Sequence, residues 1–433
     1  MSGNKVFPIR SDTACLLKWS WSTVFFNSGT SASCHRTKKY PIDPDNFDQF
    51  HNLPDKIRDR NAMIRGEWPG NGCEYCRNTE AAGGQSDRLV HLSQENQAWI
   101  TPPELANHHT AVEVTPTILE VYFKNTCNMA CVYCGAHFSS LWAAENNRFK
   151  ETITINPDSF SVQHHQHNTN YDKMVSDFWR YLAANDRYKT IKRYHILGGE
   201  PFLLDELDDS IEFWKTHPNP DLIFEVITNL NIPTARFQSY IKKIEKLIFN
   251  NKIWKLQLTA SLDGWGNSQT YVRYGLDLDL WQENFEFLLN KPWISLSINS
   301  VVSAITVKSL PSLIEKIIYW NSKQQLSINN RASEPIIQHF GVSRHKDHIY
   351  NFDGQIFNED FKKILELMPE ETKVQRDQKS IMSGIALKSL QSKSNTDHIN
   401  DLKQYLDQID RRRRTNWREH FPWLDQDFSS YET

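Results

Sequence analysis

The stretch ILEVYFKNTCNMACVYCG, residues 118–135, joins a short β-branched and aromatic run to three cysteines at C-x3-C-x2-C spacing. Ile118 to Phe123 read as a buried strand, so Cys127, Cys131 and Cys134 fall on the loop that leaves its end. Three thiolates at this spacing fit three corners of a [4Fe–4S] cube and leave one iron open, where a small molecule can bind. Tyr133, just before the last cysteine, would shield one face of such a cluster. A zinc ion borrowing His137 as fourth ligand, or three buried core cysteines, are the alternatives at this point.

Downstream, strand and helix alternate. YDKMVSDFWRYL (171–182) puts Tyr171, Met174, Val175, Phe178 and Leu182 on one helical stripe. RYHIL (193–197) runs into Gly198-Gly199-Glu200, and LIFEVI (222–227) ends at Thr228-Asn229. TARFQSYIKKIEKLIFN (234–250) is a helix by the same periodicity. KLQLTASLDG (255–264), a helix near 280–290, ISLSINSVV (294–302), a helix near 309–322 and IIQHFGV (336–342) continue the rhythm. Such alternation implies parallel βαβ units, hence an α/β barrel or a doubly wound sheet. The polar and glycine signals follow the strands, where both folds gather their functional groups.

Residues 1–110 read as a separate cysteine-rich unit, 111–345 as the α/β body and 346–433 as a helical, charged region. Arg411 to Arg414 in that last region read as a solvated helix face. The chain has 433 residues, with 49 Lys+Arg against 52 Asp+Glu and a net charge of −3. That near balance excludes a protein whose main task is coating nucleic acid. No apolar run approaches the ~18 residues of a membrane span. Charge near the N-terminus, where a signal peptide needs an apolar core, predicts a cytoplasmic chain.

Seven cysteines divide into the set of three and a set of four. Cys73 and Cys76 form C-x2-C within GEWPGNGCEYCRNTEAAGGQSDR (66–88), whose Gly and Pro predict tight turns. Cys15 and Cys34 stand upstream, and Trp19 and Trp21 are expected to pack beside them. Four thiolates close the coordination of an iron–sulfur cluster or of zinc. His164, His165 and His167 lie in a polar stretch and read as solvated.

Three cysteines with an aromatic before the third, then Gly198-Gly199-Glu200-Pro201, Thr228-Asn229, Ser261-Leu262-Asp263-Gly264 and Tyr271-Val272-Arg273-Tyr274-Gly275, resemble the radical S-adenosylmethionine (SAM) superfamily. The resemblance covers about residues 120–310. It implies a partial (β/α)6 TIM-type barrel and a SAM-binding [4Fe–4S] cluster on Cys127, Cys131 and Cys134. It also implies that Gly198, Gly199 and Glu200 meet the amino group of SAM, and that Ser261 and Arg273 meet its carboxylate. Thr228, Asn229, Asp263 and Asn299 are implied as further SAM-site residues.

The stretch Arg60 to Glu67, followed by the C-x2-C, Glu80 and Ser86-Asp87-Arg88, resembles a twitch/SPASM-type auxiliary-cluster module. Here it precedes the barrel instead of following it. The resemblance implies a second [4Fe–4S] cluster on Cys15, Cys34, Cys73 and Cys76. No thiol is then left to donate a hydrogen atom, so the expected chemistry is a net oxidation (cross-link, cyclisation or dehydrogenation) of a peptide or protein. A flavodoxin- or ferredoxin-type protein is the expected electron donor. The alternatives are a small molecule or nucleotide bound at the second cluster, and a non-catalytic iron–sulfur or zinc-binding protein. No catalytic side chain is assigned.

Overall fold

The computed structural model describes residues 8–70, 72–92, 99–150, 168–324, 335–343 and 346–425. Three N-terminal strands come first: β1 (Trp21–Phe25), β2 (Thr30–Ala32) and β3 (Tyr40–Pro41). They are followed by β4 (Ile118–Tyr122), the short β5 (Ala130–Cys131), β6 (Arg193–Leu197), β7 (Asn219–Thr228) and β8 (Ile253–Ser261). The short β9 (Arg273–Tyr274), β10 (Ile294–Val302) and β11 (Ile337–Val342) complete the set among the described residues. One sheet has the order β11-β10-β8-β7-β6-β4-β1-β2-β3, while β5 and β9 pair separately.

Strands β4, β6, β7, β8, β10 and β11 lie side by side in chain order, each parallel to the last. A doubly wound sheet reverses its strand order at a switch point. No reversal occurs along this run. The crossovers carry the helices Tyr171–Ala183, Glu206–Thr216, Thr234–Phe249, Leu278–Leu289 and Leu310–Lys323. In Thr234–Phe249, the residues Phe237, Tyr240, Ile241, Ile244, Leu247 and Ile248 form the buried face, as the 3.6-residue period requires.

Strand register sorts the sheet into two faces. Leu119, Tyr194, Phe224, Leu256 and Ile294 stand in one row and belong to the main core. One residue further along, Glu120, His195, Glu225 and Gln257 form a polar row on the other face. Glu120, His195 and Glu225 are all buried.

The N-terminal region is joined to this sheet. β1 runs parallel to β4, with Trp21 opposite Ile118 and Phe25 opposite Tyr122. All five residues of β1 are buried, so no polar–apolar alternation marks it in the sequence. A smaller apolar cluster forms around it from Leu16, Leu17, Trp19, Trp21, Met63 and Leu105, with Cys15 and Cys73 among its members. The two tryptophans thus pack where the sequence places them.

The C-terminal region is helical as expected, with Asn358–Leu367, Lys373–Leu390 and Thr396–Arg413. The arginine run departs from the expected solvated face. Arg411 and Arg414 are exposed, but the side chains of Arg412 and Arg413 are only 5% and 2% exposed. Ile399, Leu402, Leu406 and Ile409 form the buried stripe of this helix, and Arg413 continues it by the same three- and four-residue steps. Among the described residues no helix is long and apolar enough to cross a membrane.

Candidate functional site

The loop after β4 holds Cys127, Cys131 and Cys134, all half-buried and none in a disulfide. Between the thiols, Met129, Ala130 and Val132 point into the core and anchor the loop. Polar bonds fix its path. Ser140 Oγ accepts from Cys127 N at 3.1 Å, Ser139 Oγ donates to Met129 O at 2.6 Å, and Trp142 Nε1 donates to Cys131 O at 2.8 Å. β5 pairs Cys131 with Arg273 of β9, and Val132 N donates to Val272 O.

The Gly198-Gly199 turn lies directly on this loop. Gly199 has φ +51°, and a Cβ there would sit 2.3 Å from Thr126 O. Gly198 has φ +79° and is pressed against the Tyr122 ring. Only glycine combines this backbone shape with so close an approach. Glu200 N then donates to Thr126 O at 2.7 Å, tying the turn to the residue before Cys127.

The Glu200 carboxylate is fully buried and accepts from Phe202 N, Thr228 Oγ1 and Asn229 N, at 3.1, 2.8 and 2.6 Å. Burial raises its pKa to about 7, against the opposing pull of those hydrogen bonds. It thereby couples the end of β7 to the end of β6. Asn229 goes further: its Nδ2 donates to Asn128 Oδ1 at 3.0 Å and lies 3.7 Å from Cys127 Sγ.

A second clamp joins the β8 end to the same loop. Arg273 Nε and Nη2 grip Asp263 at 2.9 and 2.8 Å, and Asp263 also accepts from Tyr133 OH at 2.7 Å and from Val301 N at 2.9 Å. Burial, the largest single influence, works against the Arg273 charge, but Asp263 together with Tyr133 and Cys131 outweighs it and raises the guanidinium pKa. The charges of Glu200 and Arg273, which the sequence offers to a zwitterion, are engaged within the chain. Tyr133 points its hydroxyl at Asp263. Ser261 and Asn299, both half-buried, are register partners at the adjacent ends of β8 and β10. Burial raises all three thiols of the loop, Cys134 to about 12.

The other four cysteines line one narrow cavity in the N-terminal region. Cys15 precedes the short helix Leu16–Ser20, and Cys73 precedes the helix Glu74–Ala81 that carries Cys76. Gly72, at φ +92°, brings that segment against Arg36 O, which a Cβ would approach to 2.3 Å. Cys34 lies on the facing turn, and its Sγ accepts from Arg36 N at 3.5 Å. Lys18, Arg36 and Arg88 also line the cavity. Lys18 pairs with Asp59 at 2.6 Å, Arg36 with Asp87 at 2.7 Å, and Arg88 with Glu80. Burial, together with the neighbouring thiols, raises Cys15 and pushes Cys73 up to about 11.

Among the described residues no group of three or more His, Cys, Asp or Glu side chains is arranged to hold a metal ion. The thiols of the N-terminal set instead surround a space. An all-thiol donor set bordered by cations suits an anionic iron–sulfur cluster. The three-cysteine loop offers the same soft donors, one short of closure. His137 lies 3.2 Å from Lys39 Nζ. His164, His165 and His167 lie outside the described residues. Asn229, read from the sequence as a site residue, reaches Cys127, whereas Asn128 and Arg413 enter the site without having been read as site residues, because their identities carry no local motif.

No protein-family model matches the sequence, and no curated protein matches it. Among solved structures the chain matches one described as "Structure of TYW1 with a lysine-pyruvate adduct bound", at 14% identity and a TM-score of 0.26. The match covers 56% of this chain and 68% of that one, and a likeness so slight carries no argument.

Proposed function

We propose that this chain is a radical SAM enzyme that cleaves SAM reductively and abstracts a hydrogen atom from a peptide or protein, leading to a net oxidation. One observation carries the reading: the segments following β6, β7 and β8 all close onto the three-cysteine loop. On this reading residues 111–345 form a partial (β/α)6 barrel, preceded by an auxiliary-cluster module (1–110) and followed by a helical region (346–433).

Cys127, Cys131 and Cys134 hold a [4Fe–4S] cluster with one iron left open. When bound, that group would supply the electron that breaks the sulfonium C5′–S bond of SAM, leaving methionine and a 5′-deoxyadenosyl radical. The chain's own residues position and enclose. Gly198, Gly199 and Glu200 shape the seat for the amino group. Ser261 and Arg273 serve the carboxylate, and Asn299, the register partner of Ser261, serves the ribose and adenine side. Thr228 and Asp263 hold the loops through Glu200 and Arg273, and Asn229 donates towards the Cys127 sulfur. Cys15, Cys34, Cys73 and Cys76 would hold a second [4Fe–4S] cluster, whose chemistry would be to take up the electron left on the substrate. A flavodoxin- or ferredoxin-type donor in the cytoplasm supplies the first electron.

Anaerobic reconstitution tests the assignment. The chain is expected to bind about eight irons, and about four once Cys127, Cys131 and Cys134 are replaced together. Zinc in place of the second four overturns the auxiliary cluster. Failure of the three-cysteine variant to lose iron overturns the SAM-cluster assignment.

A further inference from the structure

Arg413, at the end of the helix Thr396–Arg413, reaches the three-cysteine loop from a part of the chain that no motif connects to it. Its Nε donates to Glu145 Oε2 at 2.9 Å. The guanidinium lies between the rings of Trp142 and Tyr274, 4.5 and 4.6 Å from their centroids. Both rings belong to the immediate surroundings of Cys131. Trp142 donates to its carbonyl, and Tyr274 is the register partner of Ala130. The helix is fixed there by Tyr405 OH, which donates to Val132 O.

Among the described residues, Nη1 and Nη2 of Arg413 are buried without a hydrogen-bond partner. Ring faces stabilise the charge of a guanidinium, but they leave its N–H donors unmet, and buried donors without an acceptor are costly. Those donors call for an anionic acceptor, and the two rings place the guanidinium beside the backbone of Ala130 and Cys131. A cluster ligated by Cys131 presents anionic sulfur to donors at that place.

We propose that Arg413 is a positioning residue for the cluster on Cys127, Cys131 and Cys134, with Nη1 and Nη2 donating to sulfur at the Cys131 corner. The inference rests on the radical SAM reading. Hydrogen bonds to the sulfurs and nearby charge set a cluster's reduction potential. A positive charge favours the reduced, more negative state, so Arg413 holds the potential up, and Glu145 moderates it.

The test is an EPR-monitored redox titration of the reconstituted full chain, read on the signal that changes when SAM is added. Arg413→Gln lowers the midpoint potential, Glu145→Gln raises it, and Arg413→Lys falls between the wild type and Arg413→Gln. A purely structural role lowers the melting temperature of these variants without shifts of opposite sign. A loaded Arg413→Gln protein with the wild-type midpoint, or shifts of the same sign in Arg413→Gln and Glu145→Gln, overturns the inference. Should Arg413→Gln fail to fold, Glu145→Gln and Arg413→Lys decide it: no rise in the first and no fall in the second overturn it. A wild-type chain with no SAM-responsive signal overturns the radical SAM reading itself, and this inference with it.

Discussion

The three-cysteine loop and the four-cysteine cavity both hold thiols ready for a common ligand, but they are built from different materials. Cys127, Cys131 and Cys134 come from one short segment, held by backbone contacts: glycine turns pressed on Thr126, a two-residue pairing with β9 and hydrogen bonds to carbonyls. Cys15, Cys34 and the Cys73–Cys76 pair come from three separate segments, and buried or half-buried ion pairs stand around them. Each site has a glycine that admits no Cβ and a buried ion pair (Gly199 and Arg273–Asp263 at the loop, Gly72 and Lys18–Asp59 at the cavity). The balance differs: backbone contacts dominate around the loop, whereas three ion pairs border the cavity.

The largest expected effect is at the cavity. Lys18 and Asp59 are each 3% exposed, so Lys18→Met strands a buried carboxylate and costs about 3–5 kcal/mol. Denaturant unfolding of the metal-free chain measures it. The double variant Lys18→Met with Asp59→Leu recovers most of the loss, because a buried pair replaced as a whole is nearly neutral. A harmless Lys18→Met would remove charge as the organising principle there.

Next comes the loop. Gly199→Ala adds about 1–2 kcal/mol of left-handed strain and drives a methyl into Thr126 O. Iron loading of the three-cysteine site is expected to collapse while the four-cysteine site still loads. Gly266→Ala, also at positive φ but with open space around it, is expected to leave loading intact. Equal loading in both variants contradicts the packing argument.

Tyr405→Phe is milder. It removes the donor to Val132 O and costs about 1–3 kcal/mol, seen as a lower melting temperature with little change in the four-cysteine site's iron.

The smallest effect is a slope with pH. Burial and the neighbouring Glu225 push Glu120 up to about 8, against hydrogen bonds from Tyr122 and Thr23 and the Arg193 charge. A folded-state value above the ordinary carboxylate value of 4.5 means that the folded chain keeps a proton the unfolded chain has lost. Stability therefore declines as pH rises from about 4.5 to 8. Glu120→Gln cannot ionise and should flatten that decline in melting temperature; an unchanged slope contradicts the shift.

Much of the α/β body is legible in the sequence because its strands are bounded by polar turns. Arg193–Leu197 and Ile294–Val302 begin and end where the residue types change. β1 was not legible, since a strand buried on both faces shows no alternation. The cysteine spacings announced both candidate sites, and the structure brings each set together. What the residue types could not reveal was their engagement. Asp263 and Arg273 sit ten residues apart, and nothing local shows that they grip each other. Arg413 was hidden by its neighbours: four arginines in a row suggest solvent, although the three- and four-residue steps from Ile399 through Leu402, Leu406 and Ile409 carry the buried stripe on to Arg413.

The most direct test of the central claim is release of 5′-deoxyadenosine from SAM by the iron-loaded, dithionite-reduced chain. The account predicts its formation by the wild type and its loss in a Cys131→Ala variant. A wild-type chain carrying its full iron that forms none contradicts the claim.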